Sequence, residues 1–173
     1  MVDFIQFDLY IHREVFVQLN IELVTWIADQ FKENYQLDAA SMIGQTVPEY
    51  VNAHLQELTN LKPPDGIIYL LVAEGDIVGM GGLRKLSDEV GEIKRMYICP
   101  QHRGRGYGKQ MLNHLLDVGR ELGCTTFCLE TSKFMTAAHH IYKSAGFVER
   151  GWYPESETPP LLQPYQMYME KKE

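Results

Sequence analysis

Cysteine is scarce in this chain: Cys99, Cys124 and Cys128 are the whole complement, and no C-x-x-C pair occurs. An odd, unpatterned set supports neither a disulfide framework nor a structural zinc site. Long apolar stretches are missing as well. The longest, Ile67–Ala73, has seven residues, against about 20 for a membrane-spanning helix. Met1-Val2-Asp3 opens without a cationic segment leading into an apolar core, so no secretory leader is expected. A reduced, cytoplasmic protein that avoids membranes is the expectation. Internal repeats, low-complexity tracts and linkers are also absent, and 173 residues suit one domain spanning 1–173.

Positive charge is missing from most of the chain and concentrated in one place. The formal net charge is −7, yet residues 93–116 hold Lys94, Arg95, Arg103, Arg105 and Lys109 with no acid, leaving −12 for the remainder. Such an acidic whole argues against nucleic acid as a partner. At the centre of the patch lies Arg103-Gly104-Arg105-Gly106-Tyr107-Gly108-Lys109, which leads into an amphipathic segment. Glycines let backbone N–H groups approach a ligand, and a helix start leaves several of them unpaired. With the helix dipole and the cations, the segment reads as a phosphate cradle. A Walker A loop needs four residues between its first glycine and Gly-Lys, then Ser or Thr; here three intervene and Gln110 follows. The glycine spacing of a dinucleotide-binding loop is absent too.

Hydrophobic periodicity supplies the elements. Leu19, Leu23, Trp26, Ile27 and Phe31 predict a helix over 14–33. Thr46-Val47-Pro48-Glu49 reads as a capping box opening a second helix. Ile67–Ala73 and Ile77–Leu83 are strand-like runs around Glu74-Gly75-Asp76, a hairpin signal, and Glu92–Ile98 is a third strand. Residues 106–122 and 135–145 are predicted helical, with a strand at 127–130 between them. Strands near 147–152 and 165–170 close the chain, and Asp3–Leu9 supplies a first strand. This order implies an α/β (α+β) domain.

Arg103, Gly106 and Gly108, lying between a strand and a helix, together with Ala138, Tyr142, Gly146 and Phe147 downstream, resemble the two motifs of the GNAT-type N-acetyltransferases. The resemblance covers about residues 66–150. It implies a central mixed, mostly antiparallel sheet of six to seven strands flanked by about four helices. It implies that acetyl-CoA is the co-substrate, with its pyrophosphate on the Arg103, Gly104, Arg105, Gly106, Tyr107, Gly108 and Lys109 turn. Its pantetheine arm would pair with Met96, Tyr97 and Ile98. No metal is implied.

Direct attack of an amine on the thioester then needs a base and an acid. Glu92 stands eleven residues before Arg103, where the protein-lysine-modifying branch of the family places its base, and Tyr142 matches the family tyrosine that serves as acid. For Glu92 the alternatives are an ion pair with Lys94 or a solvated strand end; for Tyr142 the alternative is core packing. Many relatives carry Asn where this chain has Met135, which puts one pantetheine contact in doubt. His139 and His140 are adjacent on a helix and cannot share one metal, and the cysteines read as small buried hydrophobes. The acceptor, a small-molecule amine or a peptide amine, is expected between about 34–46 and 153–164, where Tyr35, Tyr153 and the acidic Glu155-Ser156-Glu157 loop lie. That loop reads as solvated, with attraction of a cationic acceptor as the alternative. A homodimer is left open. A non-catalytic acyl-CoA-binding or sensing module on the same fold is the competing function.

Overall fold

The capping box at Thr46 forms: the Glu49 carboxylate accepts from both Thr46 N and Thr46 Oγ1 at 2.7 Å. It opens α3 (Val47–Thr59) in the computed structural model, which describes residues 2–173 and, within them, every side chain but that of Leu58. The chain divides into two compact units, residues 7–60 and residues 2–6 with 61–173.

The first unit is helical, with α1 (Leu9–Tyr35), a short α2 (Ala39–Ile43) and α3. The predicted helix at 14–33 is longer at both ends, because Asp8 caps it by accepting from Tyr10 N and Ile11 N. Its first turn carries Tyr10 and Ile11, which are 95% and 76% exposed, so the apolar stripe begins only later. Phe16, Leu19, Leu23 and Phe31 of α1 and Val51 and Leu55 of α3 are buried.

The second unit contains seven strands: β1 (Val2–Gln6), β2 (Gly66–Ala73), β3 (Asp76–Lys85), β4 (Val90–Ile98), β5 (Thr126–Ser132), β6 (Val148–Arg150) and β7 (Gln166–Lys172). Their order in one sheet is β1-β2-β3-β4-β5-β7-β6. Every neighbouring pair is antiparallel except β4 with β5. A parallel pair needs a crossover, and α4 (Tyr107–Glu121) provides it; α5 (Thr136–Ser144) follows β5. Five helices thus stand where about four are expected, α2 being the addition.

Side chains alternate across each strand. On one face Leu71, Leu83, Ile93, Phe127, Leu129 and Met169 form a core with Met111, Leu112, Leu115 and Leu116 of α4. Glu92, Lys94, Cys128 and Glu130 take the alternate positions and therefore the opposite face. The helix sits close because Gly119 faces the wholly buried Phe127 ring; a Cβ there would lie 2.8 Å from Phe127 Cζ. Neither backbone nor ring has room to move in a packed core. Gly119→Ala is expected to lower stability by about 1–3 kcal/mol, read as an earlier midpoint in chemical denaturation.

Candidate functional site

Strands β4 and β5 run together only briefly. Their ladder pairs Val90 with Thr126 and ends at Ile93 with Leu129. Beyond that point β4 stays on β3 and β5 stays on β7. The separation coincides with a bulge. Gly82 faces Lys94 but Met80 faces Tyr97, so β4 carries one extra residue, and Arg95 there has φ 53°. A bulge bends its strand and strengthens the local twist. The outcome is a wedge between residues 94–98 and residues 130–132, with Met96, Tyr97 and Ile98 along one side. The edge of β4 that faces it lacks a strand partner.

The basic turn follows at the end of that strand. Arg103 ties the two together: its Nε donates to the Ile98 carbonyl at 2.9 Å, and its guanidinium lies 5.6 Å from the Tyr97 ring centroid. Gly104 and Gly106 have φ 78° and 79°, a region that side-chain-bearing residues avoid. Gly106 is the N-cap of α4 and brings no side chain to cap it. No N–H of residues 104–109 finds a backbone acceptor; the first helical bond runs from Gln110 N to the Gly106 carbonyl. Arg105, Gly106 and Lys109 are exposed, and Arg105 pairs only loosely with Glu74 at 3.4 Å. Open donors, a helix dipole and cations are the features that suit an anion.

Glu92 is placed on the face opposite α4 and is 0% exposed. Both carboxylate oxygens are engaged. Oε1 accepts from the Tyr153 hydroxyl at 2.7 Å. Oε2 accepts from Arg84 Nε at 3.0 Å and lies 2.7 Å from Arg84 Nη2 and 3.4 Å from Lys94 Nζ. The ion pair with Lys94 is therefore present, with Arg84 as the stronger partner. A buried carboxylate needs such company. Burial and the Glu92 charge together push the Tyr153 phenol up, so it stays a donor.

Glu130 and Glu157 complete this face. Glu130 accepts from Ser156 Oγ at 2.5 Å and Thr158 Oγ1 at 3.0 Å, both on the same oxygen. Burial pushes its carboxyl up, and the neighbouring Glu92 charge adds to that. Glu157 bridges Arg84 and Lys94. Burial alone would raise its carboxyl, but Lys94 and Arg84 outweigh it and hold the group below the ordinary carboxylate range. The acidic loop is thus turned onto the protein's own cations.

Tyr142 lies on the other face, within the core of α4 and α5, its ring 6.0 Å from that of Phe147. Burial pushes its hydroxyl up to about 12. The structure does not place Tyr142 and Glu92 on a common face. Met135 is the N-cap of α5 without a side-chain cap bond, and its sulfur receives the Thr131 hydroxyl at 3.4 Å. His139 donates to the Ser132 carbonyl at 3.0 Å, and burial pushes the Cys128 thiol up to about 12. No three His, Cys, Asp or Glu side chains gather as a metal site among the described residues, and none of their helices is long and apolar enough to cross a membrane.

Two residues of this face escape the sequence reading. Arg84 had a signal: a hairpin joining β3 to β4 sets it directly opposite Glu92. Glu130 had none, because the parallel register of β4 and β5 leaves no local trace.

Comparison with known proteins agrees with this architecture. Residues 22–147 match the acetyltransferase (GNAT) family. An IAA acetyltransferase of Azospirillum brasilense is 33% identical over 132 residues, covering 75% of this chain and 82% of that protein. The PaiA N-acetyltransferase of Thermoplasma acidophilum, solved with coenzyme A, superposes over 100% of this chain and 99% of its own with a TM-score of 0.69 at 16% identity. A GNAT acetyltransferase of Elizabethkingia anophelis with acetyl-CoA bound gives a TM-score of 0.55 at 18% identity, over 72% of this chain and 82% of its own. The family match, with the seven-stranded sheet that parts at β4 and β5, places this chain in the GNAT family of acetyltransferases.

Proposed function

We propose that the protein transfers an acetyl group from acetyl-CoA directly to an acceptor amine while both are bound. One observation carries this reading: beyond Ile93 the edge of β4 has no strand partner, and it runs straight into a turn in which the N–H groups of residues 104–109 have no backbone acceptor. An extended amide-bearing arm can hydrogen-bond along such an edge as an added strand does, and a pyrophosphate suits the N–H groups beyond it. In this reading Met96, Tyr97 and Ile98 border the arm, and residues 103–109 hold the pyrophosphate. Acetyl-CoA supplies the thioester and no metal takes part.

The proton of the acceptor ammonium is the main obstacle. An amine with pKa near 10.4 costs about 4.6 kcal/mol to deprotonate at pH 7. Glu92 is the proposed base, at the point where the wedge opens. Because Tyr153, Arg84 and Lys94 already occupy its oxygens, the proton reaches it through water or by displacing Lys94, the most distant partner. At the other end, Tyr142 is the proposed donor to the departing thiolate. With its hydroxyl pushed up to about 12, full proton transfer to a thiolate of pKa near 8.5 runs uphill. A hydrogen bond that stabilises the leaving sulfur is the contribution it makes.

The deciding experiment follows release of free coenzyme A from acetyl-CoA against polyamines, amino acids, aminoglycosides and peptides, with coenzyme binding measured alongside. Turnover with one class supports the transferase; tight binding with no turnover of any amine favours the sensing module. Gly106→Val is expected to abolish acetyl-CoA binding in calorimetry while the circular dichroism spectrum is retained; unchanged affinity would put the pyrophosphate elsewhere. Glu92→Gln preserves the Tyr153 contact and is expected to lower kcat by about 10²–10⁴ at pH 7. The loss should shrink toward pH 10, where the amine deprotonates unaided. A loss of equal size at every pH would remove Glu92 from the role of base.

A further inference from the structure

The acidic loop between β6 and β7 lies across the sheet as a strap held at fixed points. Tyr153 bonds Glu92 from 2.7 Å, Arg84 Nη2 donates to the Glu155 carbonyl at 2.8 Å, and Ser156 and Thr158 both bond Glu130. Glu157 sits between these anchors and differs from them. Its side chain is 44% exposed, whereas the two cations it bridges are 23% exposed at Arg84 and 9% at Lys94. An accessible carboxylate thus covers two largely buried cations, and a rotation of its own side chain uncovers them without moving the strap.

What the rotation would leave behind is a cation pair with a vacant direction. Arg84 uses Nε and Nη2 toward Glu92, while Nη1 points to Glu157. Lys94 lies 3.4 Å from Glu92 but also reaches Glu157, and the charge of Arg95 acts on the same carboxylate. Glu92 neutralises one cation only. Two charged donors converging on one carboxylate form the geometry that recognises a carboxylate in general. Lys94 is also the first residue of β4 beyond its last pairing with β5, so a group held here stands at the mouth of the wedge.

We propose that Arg84 and Lys94 bind a carboxylate carried by the acceptor, and that Glu157 occupies their site until the acceptor displaces it. The acceptor class is then a small amine bearing a carboxylate, such as a free amino acid, rather than a polyamine. The cationic pair would repel a purely cationic acceptor, and Glu157 serves as an internal competitor. This rests on the transferase reading above for its chemistry, though the binding site itself does not require turnover.

The test compares free amino acids with their carboxamides as acceptors, in the wild type, Glu157→Ala and Lys94→Met, following coenzyme A release. Calorimetric binding of N-acetylglycine, which keeps the carboxylate and lacks the reactive amine, is measured in parallel. Free acids are expected to exceed their amides by roughly tenfold in kcat/KM. Glu157→Ala should lower KM for the acids about fivefold by removing the competing state, with the drop confined to carboxylate-bearing acceptors. Lys94→Met should erase the preference for acids over amides. Equal use of acids and amides, or a Glu157→Ala effect shared by both, would overturn the assignment. If no amine turns over, the transferase reading fails and N-acetylglycine decides the site: tighter binding to Glu157→Ala upholds it, and binding unchanged from the wild type removes it.

Discussion

The parting of β4 from β5 is the constraint around which the second unit is arranged. Backbone donors and acceptors in a sheet interior are almost always paired. Here a parallel ladder of four residue pairs simply stops at Ile93 and Leu129. The extra residue at Arg95 turns β4 away while it keeps its bonds to β3. Everything downstream serves the opening. Pro100–His102 forms a 3-10 turn, Arg103 pins that turn to the end of β4, and α4 starts at a glycine that leaves its N–H groups open.

Electrostatics divides the sheet into two kinds of face. The α4 side is apolar. The opposite side buries Glu92 and must surround it, because an isolated buried carboxylate is far less tolerable than a paired one. Arg84, Lys94 and Tyr153 come from two different strands and a loop, so the cluster locks β3, β4 and the strap to one another. Its net balance is delicate. Glu157 supplies the last negative charge from an exposed position, which makes that charge the replaceable one. The cationic surplus of residues 93–116 is consequently split: Arg105 and Lys109 face solvent at the turn, while Lys94 is drawn inward.

Legibility in the sequence follows the range of each interaction. Thr46 and Glu49 are three residues apart, so their capping box could be read directly and is present. The β2–β3 hairpin and the stops at Gly123 and Gly146 are equally local, and both glycines have φ above 90° or close to it. The five-residue α2, capped by Asp38 through Ser41 N, was too short for periodicity to register. The first strand is Val2–Gln6 instead of Asp3–Leu9 because Asp8 is consumed as the cap of α1. The acidic loop looked solvated since its cationic partners Arg84 and Lys94 lie 73 and 63 residues from Glu157.

What the sequence determined by itself is therefore every element but α2, their order, and the glycine-rich turn with its charge. These rest on propensity, capping and backbone freedom, which act within a few residues. Tertiary structure alone decided that Glu92 is enclosed by Arg84, Lys94 and Tyr153 and that Tyr142 lies on the other face. It also decided that Glu130 stands beside the wedge and that Glu157 covers a cation pair. Sheet register and strand divergence create those relations by joining residues far apart in the chain. A carboxylate has no partner until the fold brings one to it.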